Sequence, residues 1–225
     1  MGIGQLWLET GRNASLPFTL PSDVPGAVRL LEDVLADELW VRRIAERSYR
    51  HANGFDKMVI AVERGEYLVK FDVWWAGDAR VDEAPHNHRW DFESRVLAGR
   101  LDVRHYDVDP GGRGFHRFRV LGFGRRDEFV RLGEVGLTGT FEAALPAGTR
   151  YFLHHRQLHS VTALPDTTTI TFSVQGPTAQ ERSEIVERSR DRARVQALPA
   201  FAEDEVRDRL AAMRDVLTAA GGGTG

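Results

Sequence analysis

The chain has 225 residues, 42 % apolar and 28 % charged, so it is long enough for one sizeable core and has the composition of a folded globular domain. Its formal net charge of −3 excludes a global pull toward nucleic acid or an anionic membrane, and the absence of cysteine excludes disulfides, a thiol nucleophile, thiolate metal ligands and an iron–sulfur cluster. Of the 30 basic residues all are arginine except Lys57 and Lys70, which makes those two positions stand out.

The first ten residues, MGIGQLWLET, lack the basic and long apolar stretches of a signal peptide. No apolar run approaches a membrane span, so a cytoplasmic protein without membrane contact is expected. Residues 1–22 read as irregular, broken by Pro17 and Pro21. Ser22-Asp23 can cap a helix with Pro25 in its first turn, and Val28, Leu31, Val34 and Leu35 recur at helical spacing. A second helix is expected through Leu39, Val41, Ile44 and Ala45, and Asn53-Gly54 ends this lead-in.

From Lys57 to Gly176 the pattern changes to short β-rich runs: 58–63, 67–75, 92–97, 101–108, 116–123, 139–145, 150–152, 160–164 and 168–174. Turn signals such as Arg64-Gly65, Ala98-Gly99, Pro110-Gly111-Gly112 and Pro146-Ala147-Gly148 punctuate them, which argues a sandwich or barrel. Residues 177–220 are charged and read as helical, with Ile185, Val186, Val195, Leu210, Met213 and Leu217 as the buried side, Pro199 separating two helices and the run 188–194 on a solvated helix face. The expected organisation is a helical lead-in over 1–55 packed on a barrel over 56–177, C-terminal helices over 178–220 and a flexible tail over 221–225, all one structural domain.

Chemistry concentrates in the histidines. His86 and His88 are one residue apart, so on a strand their side chains share a face. A third imidazole, His159, can close a metal site from a neighbouring strand, and three neutral histidines suit a divalent first-row metal with positions left open for chemistry. His154 and His155 are alternatives to His159 for the third ligand. Trp90 shares parity with His86 and His88, so it and Trp75 are candidate pocket walls.

The run His86-x-His88-x4-Glu93-x5-Gly99, the later Pro146-x-Gly148-x2-Tyr151 and the short-strand pattern together resemble the cupin superfamily. Tyr151 stands where most cupins carry a histidine, and His159-Ser160-Val161 follows eight residues later, as in the cysteine dioxygenase branch. The segments Phe71–Gly77 and Phe172–Pro177 also look like that branch. The resemblance implies an all-β core, a cupin double-stranded β-helix (jelly-roll) barrel, with N-terminal and C-terminal helical additions. It also implies a mononuclear Fe(II) held by His86, His88 and His159, with Mn, Ni or Zn as the other metals the site could take.

The chain departs from that branch as well. Neither partner of the branch's cysteine–tyrosine crosslink is present, since Glu93 and Val174 occupy those positions. Its Ser-x-His-x-Tyr triad falls on Ile170, Phe172 and Val174, and its carboxylate-binding arginine falls near Lys57. Lysine grips a carboxylate as a point charge rather than a fork. Glu93 has three readings: a fourth metal ligand, a general base or acceptor for a histidine N–H, or an ion-pair partner of an arginine such as Arg95 or Arg104. The expected activity is an iron-dependent dioxygenase acting on a small acid, amino acid or thiol, with dioxygen as co-substrate. Lys57 or an arginine would orient the carboxylate, and Glu93 and Tyr151 would tune protons. A redox-neutral metal cupin enzyme and a non-catalytic small-molecule binder are the rivals. Monomer and homodimer are both compatible with helical additions that cover the barrel edges.

Overall fold

A computed structural model describes residues 20–221, apart from 64–66, 80, 82, 122–124, 192 and 194. The N-terminal 19 residues, the Arg64-Gly65 turn and most of the glycine tail lie outside the described residues. Helix α1 (Val24–Ala36) starts because the Asp23 carboxylate accepts the Gly26 N–H at 2.7 Å, with a proline in the first turn. It buries Ala27, Leu30, Leu31 and Val34, three and four residues apart. Asp37 ends α1 and caps α2 (Glu38–Ala45) by accepting from Trp40 N at 3.1 Å.

The strands follow as β1 (Tyr49–Arg50), β2 (Asp56–Glu63), β3 (Tyr67–Trp74), β4 (Trp90–Ala98), β5 (Arg100–Asp109) and β6 (Phe115–Val120). Next come β7 (Arg126–Pro146), β8 (Arg150–Leu153), β9 (Leu158–Ala163), β10 (Thr169–Thr178), β11 (Ser183–Glu187) and β12 (Val195–Ala197), and then helix α3 (Glu203–Gly221). One antiparallel sheet runs β1-β2-β3-β10-β4-β8 and the other β11-β6-β7-β5-β9, with β12 paired to β7. This is a jelly-roll β-barrel with helical additions, as expected.

The two faces of the first sheet have opposite chemistry. Its outer face carries Met58, Ile60, Val69, Phe71, Val73, Ile170, Phe172 and Val174, packed under α1, α2 and α3. Strand alternation then turns Lys57, Lys70, Asp72, Thr171, Ser173 and Gln175 inward. Register aligns them in rows across the strands: Tyr151, Ser94, Ser173 and Lys70 in one, and Val96, Thr171, Asp72 and Lys57 in the next. Ile170, Phe172 and Val174, where the resemblance places the branch's triad, belong to the helix-backed core. A second, apolar cluster of Val96, Leu101, Val103 and Ala163 joins the two sheets.

Gly99 turns the chain from β4 into β5 at φ +73, and a β-carbon there would lie 2.8 Å from Thr168 O. Gly99→Ala is expected to destabilise the protein by at least about 1–2 kcal/mol from backbone conformation alone, with the clash adding to it. Urea denaturation of the two proteins checks this.

The region 178–202 departs from the helical expectation. Ile185 and Val186 are adjacent residues on β11, paired with β6, and each joins an apolar cluster on a different side. Two neighbouring apolar residues serve a strand buried on both faces as well as a helix, and tertiary pairing decides between them. Residues 188–191 are not helical, and a single helix, α3, follows Pro199. Among the described residues no helix is long and apolar enough to cross a membrane.

Candidate metal centre

The segment carrying the first two histidines is held from both sides by backbone bonds. His86 N donates to His159 O and His159 N to His86 O, both at 2.9 Å. On the other side Val186 N donates to Pro85 O at 2.8 Å and Asn87 N to Glu184 O at 3.0 Å. The Asn87 side chain returns the contact, accepting from Glu184 N at 2.7 Å. His88 N bonds His155 O, and Gln180 Nε2 donates to His88 O. The histidine segment is thus clamped between β9 and β11, which fixes where its side chains point.

The three imidazoles converge. Ring centroids lie 4.9 Å apart for His86 and His88, 4.6 Å for His86 and His159, and 5.0 Å for His88 and His159. One ligand nitrogen from each lies within 4.8 Å of the other two. His86 Nδ1 is 3.1 Å from Ala84 O; donating there leaves Nε2 as a lone pair for a metal. His88 Nε2 and His159 Nδ1 are buried without a hydrogen-bond partner among the described residues. Burial pushes the His88 and His159 pKa values well below 6.5, and neighbouring His86 adds to the effect. Neutral, convergent, unsatisfied imidazoles fit a divalent metal.

The same shifts set a pH dependence. His51, His88 and His159 all have pKa values well below the ordinary 6.5, burial being the largest cause. Below about pH 6.5 the unfolded chain takes up protons that the folded chain refuses, so stability is full above that pH and falls beneath it. Melting temperatures of chelator-treated protein are expected to drop as the pH is taken from about 8 to about 5.

Beside the imidazoles is a cavity of about 160 Å³, lined among others by His51, Lys57, Lys70, Glu83 and Trp90. Trp90 stacks near His88 with centroids 6.1 Å apart, and Phe92 meets His88 edge-on at 5.0 Å. Lys70 Nζ forms an ion pair with Asp72 Oδ2. Lys57 faces Asp72 across the strand pair without a hydrogen bond to it, its Nζ 5.7 Å from the Tyr49 ring centroid. Burial lowers the pKa of both ammonium groups, and Asp72 partly offsets this. Glu83 is buried, accepts from Asn53 Nδ2 at 2.5 Å and Val161 N at 2.6 Å, and has its pKa raised by burial.

Of the residues singled out in the sequence, His86, His88 and His159 come together, and Lys57 and Trp90 line the cavity beside them. Glu93 does not join them. Phe92 and Ser94 point inward, so alternation turns Glu93 the other way, where it pairs with Arg150 Nη2. Its partner is Arg150 rather than Arg95 or Arg104. Trp75 is also elsewhere: β3 ends at Trp74, and the Trp75 indole donates to Asp56 Oδ2 at 2.6 Å beside the helix-backed core. Tyr151 lies one layer behind the imidazoles. It meets Phe92 at 6.2 Å and sits opposite Ser94 in the β4–β8 register, and burial raises its pKa. His154 and His155 form a separate group with Asp91, which accepts from His155 N at 2.7 Å.

Sequence reasoning missed His51 and Glu83 in the lining, and Asp72 behind Lys70. None of them belongs to a spaced motif, and only the rarity of lysine marked Lys70.

No family model matches the chain, and no curated protein matches it. Solved structures similar to it include an RmlC-like cupin from Shewanella frigidimarina, at 16 % identity over 60 % of this chain and 86 % of that one, TM-score 0.35. The hydroquinone 1,2-dioxygenase PnpCD in complex with Cd²⁺ and 4-hydroxybenzonitrile matches at 12 % identity over 62 % and 72 %, TM-score 0.35. The iron(II) form of HppE matches at 12 % identity over 54 % of this chain, which spans half the length of that protein, TM-score 0.34. The strand order and side-chain placement of this chain themselves define a jelly-roll barrel with three convergent histidines between its sheets.

Proposed function

We propose that the protein is a mononuclear metal enzyme of the cupin type, an Fe(II)-dependent dioxygenase acting on a small acid or thiol. The observation that carries this reading is the convergence of three imidazoles, two of them with a buried nitrogen that has no hydrogen-bond partner among the described residues, beside a small cavity that also holds the ammonium of Lys57, which no described carboxylate bonds. His86, His88 and His159 would hold the metal. When bound, the metal supplies coordination positions at which substrate and dioxygen are held side by side.

The remaining roles belong to the protein. Lys57 offers its Nζ to a substrate carboxylate, and Asp72 holds Lys70 Nζ nearby as a second positive group. Trp90 and Phe92 orient His88 and exclude water from one side. Glu83, whose raised pKa favours the protonated form more than usual, can hold or release a proton at the cavity wall.

The placement of Glu93 and the apolar identity of Ile170, Phe172 and Val174 favour a second reading, a redox-neutral metal enzyme on the same ligands. Metal analysis followed by anaerobic Fe(II) loading and oxygen-uptake assays over small thiols, amino acids and carboxylic acids separates them. Near-stoichiometric iron with substrate-triggered oxygen uptake is expected. Tight zinc, nickel or manganese without oxygen uptake selects the redox-neutral reading, and no metal under any loading selects a binding protein.

A further inference from the structure

A second cavity, of about 560 Å³, adjoins the first, and Asn87 and Glu184 line both. Its apolar lining is Tyr106, Val108 and Leu158, and its charged lining is dominated by Arg117, Arg119, Arg156 and Arg182. Against these four guanidinium groups stand two carboxylates, Asp107 and Glu184, in a chain whose net charge is −3. Arg117 already satisfies Glu184, with Nε at 2.9 Å and Nη2 at 2.5 Å from Oε2. The guanidinium groups of Arg119, Arg156 and Arg182 make no ion pair or hydrogen bond with another described residue.

The sequence separation of these arginines argues against a chance local run. They come from β6, from the turn between β8 and β9, and from the residue before β11. Arg117 and Arg119 share a face of β6, and Arg119 sits opposite Glu184 in the β6–β11 register. Like charges brought together by three separate parts of the fold repel one another unless an anion joins them. Guanidinium forks match the geometry of phosphate oxygens, and the apolar floor of Tyr106 and Leu158 suits an organic substituent.

We propose that this groove binds a small organic phosphate ester, its phosphate held by Arg119, Arg156 and Arg182 and its organic part lying on Tyr106 and Leu158. The site is independent of the reaction carried out at the histidines. It is connected to them, because Glu184 is bonded to Asn87, the residue between His86 and His88. A ligand that competes with Glu184 for Arg117 acts on the strand that clamps the metal segment.

The test is calorimetric titration of the metal-loaded protein with phenyl phosphate at low ionic strength. Saturable binding is expected, weakened by added sodium chloride and by at least about tenfold in R119Q/R156Q, with metal content and melting temperature unchanged. The single substitution R182Q, at an exposed position, is expected to weaken it in the same direction. No saturable binding, or binding that these substitutions leave intact, overturns the proposal. Tighter binding of a single-stranded oligonucleotide that the same substitutions abolish would also overturn it, reassigning the groove to nucleic acid.

Discussion

His159→Ala is expected to take bound metal from about one equivalent to background and to lower turnover by more than the roughly 10–100-fold that loss of a supporting residue costs. His159 is 3 % exposed and bridges the two halves of the site: its ring meets His86 and His88, and its backbone holds His86 in place. Alanine keeps the backbone bonds, so the clamp persists while the third ligand disappears. Elemental analysis with far-ultraviolet circular dichroism separates metal loss from unfolding. His155→Ala is the matching control. It removes a ring bonded to Asp91 outside the triad, and metal content should stay near that of the parent protein. Full metal retention in His159→Ala would remove His159 from the site.

Lys57 and Lys70 are expected to respond oppositely to the same substitution. Lys57→Met removes an ammonium that no described carboxylate bonds, so its loss leaves no buried charge without a partner. Stability should hold or rise, while the affinity for an acidic substrate falls about tenfold or more, the usual effect of losing a charged hydrogen bond. Lys70→Met takes from the buried Asp72 the cation bonded to it and leaves only Lys57, which faces it without a hydrogen bond; Oδ1 already lacks a partner, and Oδ2 would lose its own. That change should destabilise the fold by about 3–5 kcal/mol. Denaturant melts and steady-state kinetics on the two variants provide the comparison, and equal destabilisation by both would show that Lys57 has a structural partner.

The barrel was legible from strand-length runs and their turn residues because its strands obey local rules. So were the helix caps, since Asp23 and Asp37 act within three residues of themselves. The meeting of His86 and His88 was legible because residues one apart in an extended segment share a face, although the segment lies ahead of β4 and only His86 forms a bridge there. Glu93 shows where a motif misleads: the spacing gives its position in the chain, but the strand's pleat decides its face, and Phe92 and Ser94 take the inward side. The fate of Trp75 depends on β3 ending one residue earlier, a boundary that pattern alone does not fix. β11 was unreadable as a strand because its partners, β6 and the Pro85–Asn87 segment, lie far from it along the chain.

That distance has a kinetic meaning. The hydrogen bonds from Glu184 and Val186 to the Pro85–Asn87 segment join residues about a hundred positions apart, so they close a loop of nearly half the chain. During synthesis the first two histidines leave the ribosome long before β9 and β11 do, and they have neither their third partner nor their clamp until most of the chain has followed. Metal capture in a defined geometry is therefore a late event, reserved for a chain that is nearly complete.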